Sequence, residues 1–192
     1  MQSGNSELIQ LSLSSLPRTG FKGRDANRWL LQQGVTLPDA ANSVSVQTDN
    51  SLIARLSNEE SLILSAHDGS SNLVTQLDSA WSLDACDGCY QLPRMHSHDW
   101  IALIGIQVPG LLAKLCGVDM RPTHFANHSV AQTSLARVNV ICIRHDLEDQ
   151  FCIYLLSDAS FSQYLNECLL DAMQEFDGRV VEHLAQSPTH SS

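Results

Sequence analysis

Basic residues are scarce in this chain: 11 Lys and Arg stand against 21 Asp and Glu over 192 residues, giving a formal charge of −10 and a pI near 5.0. A surface of that sign repels phosphate backbones and anionic headgroups, which excludes nucleic acid and membrane surfaces as partners. Long apolar runs are missing as well. The opening from Met1 to Gln10 has no Lys or Arg ahead of its few apolar residues, so neither a signal peptide nor a spanning helix is expected there, and the expected compartment is the cytoplasm.

The phosphate-cradling fingerprints are also absent. Neither G-x-G-x-x-G nor G-x-x-x-x-G-K-[ST] occurs, and the glycines of Gly20-Phe21-Lys22-Gly23 and Gly105 read as turn residues. No G-x-S-x-G elbow marks a nucleophile, and loop histidines such as His124 and His128 have no neighbour pattern that would activate one.

What remains is the composition of a folded protein, 43% hydrophobic and 17% charged, at a length that supports one globular domain built of two halves. Cys116, Cys142, Cys152 and Cys168 sit in or beside apolar runs, where a thiol packs as a small hydrophobe, so reduced cysteines are expected.

Along the chain, Ala26, Trp29 and Leu30 share one helical face after Asp25, a candidate N-cap, with Gly34 as the stop. Ser43 to Val46, Leu52 to Leu56 and Leu62 to Leu64 read as short strands, the first two separated by Thr48-Asp49-Asn50. Leu73, Leu77 and Trp81 recur every four residues, as on a helix that faces a sheet. Trp100 to Ile104 reads as a buried strand, followed by a helix around Leu111, Leu112 and Leu115 that ends at Gly117. Val138 to Ile143 and Phe151 to Leu156 form an apolar hairpin, and Phe161, Tyr164, Leu165, Cys168, Leu169, Ala172 and Phe176 make the stripe of a long helix ended by Asp177-Gly178.

The class is therefore α+β, with mixed or antiparallel sheets and helices packed on them. The segments 23–38 and 105–122 repeat one plan, a Gly, a short helix with paired Leu, a Gly-Val and a Pro, which points to two β-α-β-like halves. Residues 1–15 are expected to be loosely ordered, 16–178 to form the domain, and 179–192 to be a flexible tail.

Cys86-Asp87-Gly88-Cys89 has metal-ligand spacing, with His96 and His98 downstream. The His-x-His pair has neither form of the usual second half of a structural zinc site, so the segment reads as a mobile loop with surface thiols. Arg94, Asp99 and Trp100, and likewise Arg121, His124 and Phe125, are residue types that anchor protein interfaces; the 93–100 and 121–125 segments are the expected docking face.

Short motifs recur in a particular order. Leu16-Pro17-Arg18-Thr19-Gly20-Phe21-Lys22-Gly23, Ala26-Asn27-Arg28-Trp29-Leu30 and Leu37-Pro38 with Asn42 come first. Arg55-Leu56 with Glu59-Glu60, Pro93-Arg94 before Trp100, Lys114-Leu115-Cys116-Gly117-Val118-Asp119, Phe125 and Ala131-Gln132-Thr133-Ser134-Leu135-Ala136 follow. This series, from about Leu16 to about Gly178, resembles the gamma subunits of heterotetrameric sarcosine oxidase. Those subunits are similar in fold to the folate-binding domain of glycine-cleavage aminomethyltransferases.

The resemblance implies a non-catalytic accessory subunit seated on a catalytic alpha subunit in an alpha-beta-gamma-delta complex that demethylates sarcosine. FAD, FMN, NAD and tetrahydrofolate are then expected on the partner subunits. It assigns no catalytic, cofactor-binding or metal residue here. In the aminomethyltransferases a carboxylate after the first hairpin acts on folate; the matching place holds Ser51, with Asp49 in the preceding turn, and a hydroxyl cannot supply that charge. The alternative role is a free-standing folate-dependent aminomethyl transferase.

Overall fold

Side-chain alternation along the strands sets the architecture, because successive residues of a strand point to opposite faces. The computed structural model describes residues 7–84 and 86–182. A six-stranded sheet has the order β11-β1-β7-β10-β9-β8, formed by β1 (Ile9–Ser12), β7 (His98–Ile104), β8 (Val130–Leu135), β9 (Val138–Arg144), β10 (Cys152–Asp158) and β11 (Arg179–Val181). A five-stranded sheet has the order β3-β4-β5-β2-β6, formed by β2 (Arg18–Lys22), β3 (Ser43–Val46), β4 (Leu52–Arg55), β5 (Glu60–Leu64) and β6 (Tyr90–Pro93). All pairings are antiparallel except β1 with β11.

Trp100, Ala102 and Ile104 of β7 face the second sheet, where they meet Leu52 and Ala54 of β4 and Leu62 and Leu64 of β5. Ile101 and Leu103 face the other way, under α3 (Val108–Leu115) and α4 (Ser162–Met173). In the five-stranded sheet, Phe21, Ile53 and Ile63 face α1 (Ala26–Gln32) and α2 (Leu73–Ala80). Two sheets thus lie face to face between two helical layers, and each fully buried Leu, Ile or Phe contributes about 1.5–3 kcal/mol.

The internal echo is present in three dimensions. Each half runs β-α-β-β-β-α-β, from β2 to β6 and from β7 to β11. Each turns from its first strand into its first helix at a glycine with positive φ, +131° at Gly23 and +123° at Gly105. A Cβ at either position would run into a backbone carbonyl, that of Gly88 or of Glu7, so only glycine fits.

Several sequence expectations change. The segment expected to be loosely ordered contains β1, hydrogen-bonded on both sides by β7 and β11, with Ile9 and Leu11 in the inter-sheet core. The expected flexible tail starts with β11; residues 183–192, like residues 1–6, lie outside the described residues. The strands β2, β6 and β8 are additions to the sequence reading, whereas the β9–β10 hairpin stands where expected, with β10 central. Asp25 occupies the N-cap of α1 without capping it, because its carboxylate is drawn to Arg24 and Arg28. Leu165, Leu169, Ala172 and Met173 form the buried face of α4, so Phe161 and Tyr164 are left about half exposed, at 49% and 48%.

Candidate functional site

The interface expected around Arg94 is instead an internal polar network at the junction of β6 and β7. Arg94 Nη2 donates to Glu60 Oε1 at 2.8 Å, and Glu60 Oε2 also pairs with Lys22 Nζ at 3.0 Å. Arg94 Nη1 lies 3.0 Å from His98 Nε2. A guanidinium only donates, so His98 accepts at Nε2 and carries its proton on Nδ1, 2.9 Å from Ser97 Oγ. Ser97 in turn donates to the Pro93 carbonyl at 2.9 Å. Burial and the adjacent Arg94 hold His98 below the usual histidine range. Its one lone pair is engaged, so it cannot act as a general base in this state.

Next to it, Arg18 is 3% exposed and is spent on carbonyls. Its Nε donates to His98 O at 3.0 Å, Nη1 to Ser14 O and Leu16 O at 3.0 and 2.8 Å, and Nη2 to Met95 O at 2.8 Å. Burial lowers its proton affinity, with Asp99 as the opposing charge. This is a clamp joining the N-terminal segment to the link between the halves.

The second expected docking segment is also revised. Phe125 is 6% exposed and belongs to the core beneath α3, while Arg121 is exposed and its guanidinium forks onto Asp119. Position next to Pro93 or Pro122 suggested loops at the surface; the fold tucks the aromatic ring inward.

Asp49 and Ser51 lie between β3 and β4 as expected. Although partial burial works against its charge, Asp49 is held below the usual carboxylate range by backbone donors. Oδ1 accepts from Ser51 N–H at 3.0 Å, and Oδ2 from Asn72 and Leu73 N–H at 3.1 Å each. The carboxylate caps the start of α2 from outside that helix. Ser51 is fully buried, and among the described residues its Oγ has no hydrogen-bond partner.

Cys86 and Cys89 occupy a turn ahead of β6, whereas His98 begins β7 beyond the far end of β6. Four strand residues at about 3.3 Å each separate them, too far for a shared ion. Among the described residues, no three His, Cys, Asp or Glu side chains stand close enough to hold a metal. Cys89 is buried and not a surface thiol, and Cys86 is half-buried. Cys86 borders a solvent-open cleft lined also by Arg24, Asp25, Arg28, Gln32 and Asp87.

Sequence reasoning missed one grouping, an aromatic column on the inner face of the six-stranded sheet. Trp100 meets Tyr154 edge-on at 5.3 Å, Tyr154 meets His145 at 5.8 Å, and His145 stacks on His128 at 5.4 Å. Burial, then the nearby His128 and His67, bring His145 down to about 4. The pairing of β10 with both β7 and β9 creates this alignment, so no local motif could have signalled it.

No family model matches the chain, and no curated protein matches it. Solved structures do, two of them as follows. One is a chain of heterotetrameric sarcosine oxidase from Corynebacterium sp. U-96, in complex with pyrrole 2-carboxylate; the likeness has a TM-score of 0.74 and 24% identity, and covers 93% of this chain and 90% of that one. The other is glycine cleavage system aminomethyltransferase T from Bartonella henselae, with a TM-score of 0.64, 13% identity, and coverage of 92% of this chain but 48% of that one. The chain spans about half the length of that aminomethyltransferase. It has the α+β fold shared by these two proteins, as its resemblance to the sarcosine oxidase subunits implied.

Proposed function

We propose that the chain is a non-catalytic, cytoplasmic gamma-type subunit of a heterotetrameric sarcosine oxidase, seated on a catalytic alpha subunit within an alpha-beta-gamma-delta complex. The observation that carries this reading is the two-way coverage: 93% of this chain aligns with 90% of one chain of such an oxidase, so the two are close in size as well as fold. The bonds of Asp49 argue against a free-standing transferase, since its two oxygens are occupied by backbone donors.

In this reading FAD, FMN, NAD and tetrahydrofolate reside on the partner subunits, where sarcosine is demethylated, and this chain acts through its surface. The exposed aromatic pair Phe161 and Tyr164, three residues apart at the start of α4, is a source of apolar contact for the partner.

The test is co-expression with each sarcosine oxidase alpha subunit that the same genome encodes. The wild-type chain co-elutes with alpha, and a Phe161→Ser, Tyr164→Ser variant stays folded but binds at least roughly 30-fold more weakly, as loss of about 2 kcal/mol of anchor contact requires. Failure of the wild-type chain to bind any such subunit would overturn the proposal; unchanged binding by the variant would move the docking face elsewhere.

A further inference from the structure

The turn Cys86-Asp87-Gly88-Cys89 takes no part in the networks above. Cys89 N–H donates to Cys86 O at 3.4 Å, and Gly88 holds φ +84°, the left-handed value that the third residue of a type II turn needs. Such a turn brings its first and last Cα atoms within about 7 Å, close to the span a disulfide bridges. The turn is also fixed from outside: Asp25 N–H donates to Gly88 O at 3.1 Å, and Trp81 Nε1 donates to Cys89 O at 3.0 Å. Cys86 is half-buried on the wall of the open cleft, and Cys89 lies behind it at 1% exposure.

We propose that Cys86 and Cys89 are a dithiol–disulfide exchange site whose co-substrate is a zwitterionic low-molecular-weight disulfide. The accessible thiol, the buried partner and the held turn carry the exchange chemistry. The cleft supplies the binding character: Arg24 pairs with Asp25 and Asp87, and Arg28 with Asp25, along its wall, and a ligand carrying both carboxylates and ammonium groups can exchange with these ion pairs.

Cys86, as thiolate, attacks one sulfur of the small disulfide; that S–S bond breaks, and the leaving thiolate takes a proton from water. Cys89, pushed up to about 12 by burial and by the neighbouring Cys86, stays protonated through this step and does not compete for it. Once Cys86 is in the mixed disulfide it no longer repels charge on Cys89. The Cys89 sulfur then attacks Cys86 Sγ and gives up its proton, which the second departing thiolate takes. The chain loses two electrons and two protons, and one small disulfide becomes two thiols.

The experiment equilibrates the full reduced chain with oxidised glutathione, quenches it with acid and an alkylating agent, and reads intact and peptide masses. The wild-type chain becomes lighter by two hydrogens, with Cys86 linked to Cys89, and dithiothreitol reverses the change. Cys89→Ser stops with glutathione on Cys86, Cys86→Ser forms neither product at this turn, and Cys168→Ser behaves as wild type. Because Cys89 is buried, an early quench of the wild-type chain gives an independent check: the transient adduct is on Cys86 and not on Cys89. A wild-type chain that keeps both thiols free in excess oxidised glutathione, or an adduct that forms first on Cys89, would overturn the proposal.

Discussion

Ala136 and Arg137 join β8 to β9 with φ of +47° and +69°, a two-residue turn of the mirror-image kind that normally calls for Asn-Gly. An L-residue with a Cβ in this region costs roughly 1–2 kcal/mol. Replacing the pair by Asn-Gly is expected to stabilise the chain by about 1–2 kcal/mol, seen as a higher urea midpoint at an unchanged slope. The same two residues explain why β8 escapes a sequence reading: its turn carries none of the usual signals. Phe125 teaches the converse. Its surroundings in the sequence mark a loop, but the ring is core, so Phe125→Ala is expected to cost about 3–5 kcal/mol of stability and not to be a clean docking variant; thermal unfolding of the isolated chain checks this.

His145 makes a residue-scale prediction about pH. Its folded value, about 4, lies below the ordinary 6.5, so the unfolded chain binds the proton more readily. Its contribution to stability is present above pH 6.5 and is lost as the pH falls from 6.5 through about 4. Proton NMR should show the ring titrating near 4. His145→Phe should reduce the drop in urea midpoint across that window, and an ordinary titration midpoint would refute the assignment.

Among the elements, those with a strong apolar period were legible: α1, α2, α3, α4, β7 and the β9–β10 hairpin. The strands that were not legible present polar residues on a face whose partner is remote. Gln10 of β1 is buried because Asn166 of α4 accepts its amide at 2.6 Å, and Gln132 of β8 is held by Asn42 and Leu56. No local pattern reveals such partners. The candidate site followed the same rule: Asp49 was legible as a turn residue, whereas the helix it caps begins 24 residues away. Asp49→Ala is expected to cost about 1–2 kcal/mol and to fray the first turn of α2, read as faster amide exchange at Asn72 and Leu73. The lowered carboxyl value gives the sign with pH: this support is present above the ordinary carboxylate value of 3.8 and is lost as pH falls further through the folded value.

For the whole molecule, the position of β1 matters most. The first half forms its sheet within residues 18–93, because β2, β3, β4, β5 and β6 pair with one another, and a single bridge from Ser43 to Ser129 ties β3 to the second half. The second half has no such independence: β11 is attached through β1, and β1 is the first strand of the chain. During synthesis Ile9 leaves the ribosome long before its partner Ile104, and Arg179 comes last of the three. The early strand must therefore wait, unpaired, while the five-stranded sheet assembles behind it, and its apolar Ile9 and Leu11 are the residues a chaperone would meet in that interval. Completion of the six-stranded sheet is then a proofreading step, since β11 can dock only on a chain whose opening segment has stayed intact and returned to its place.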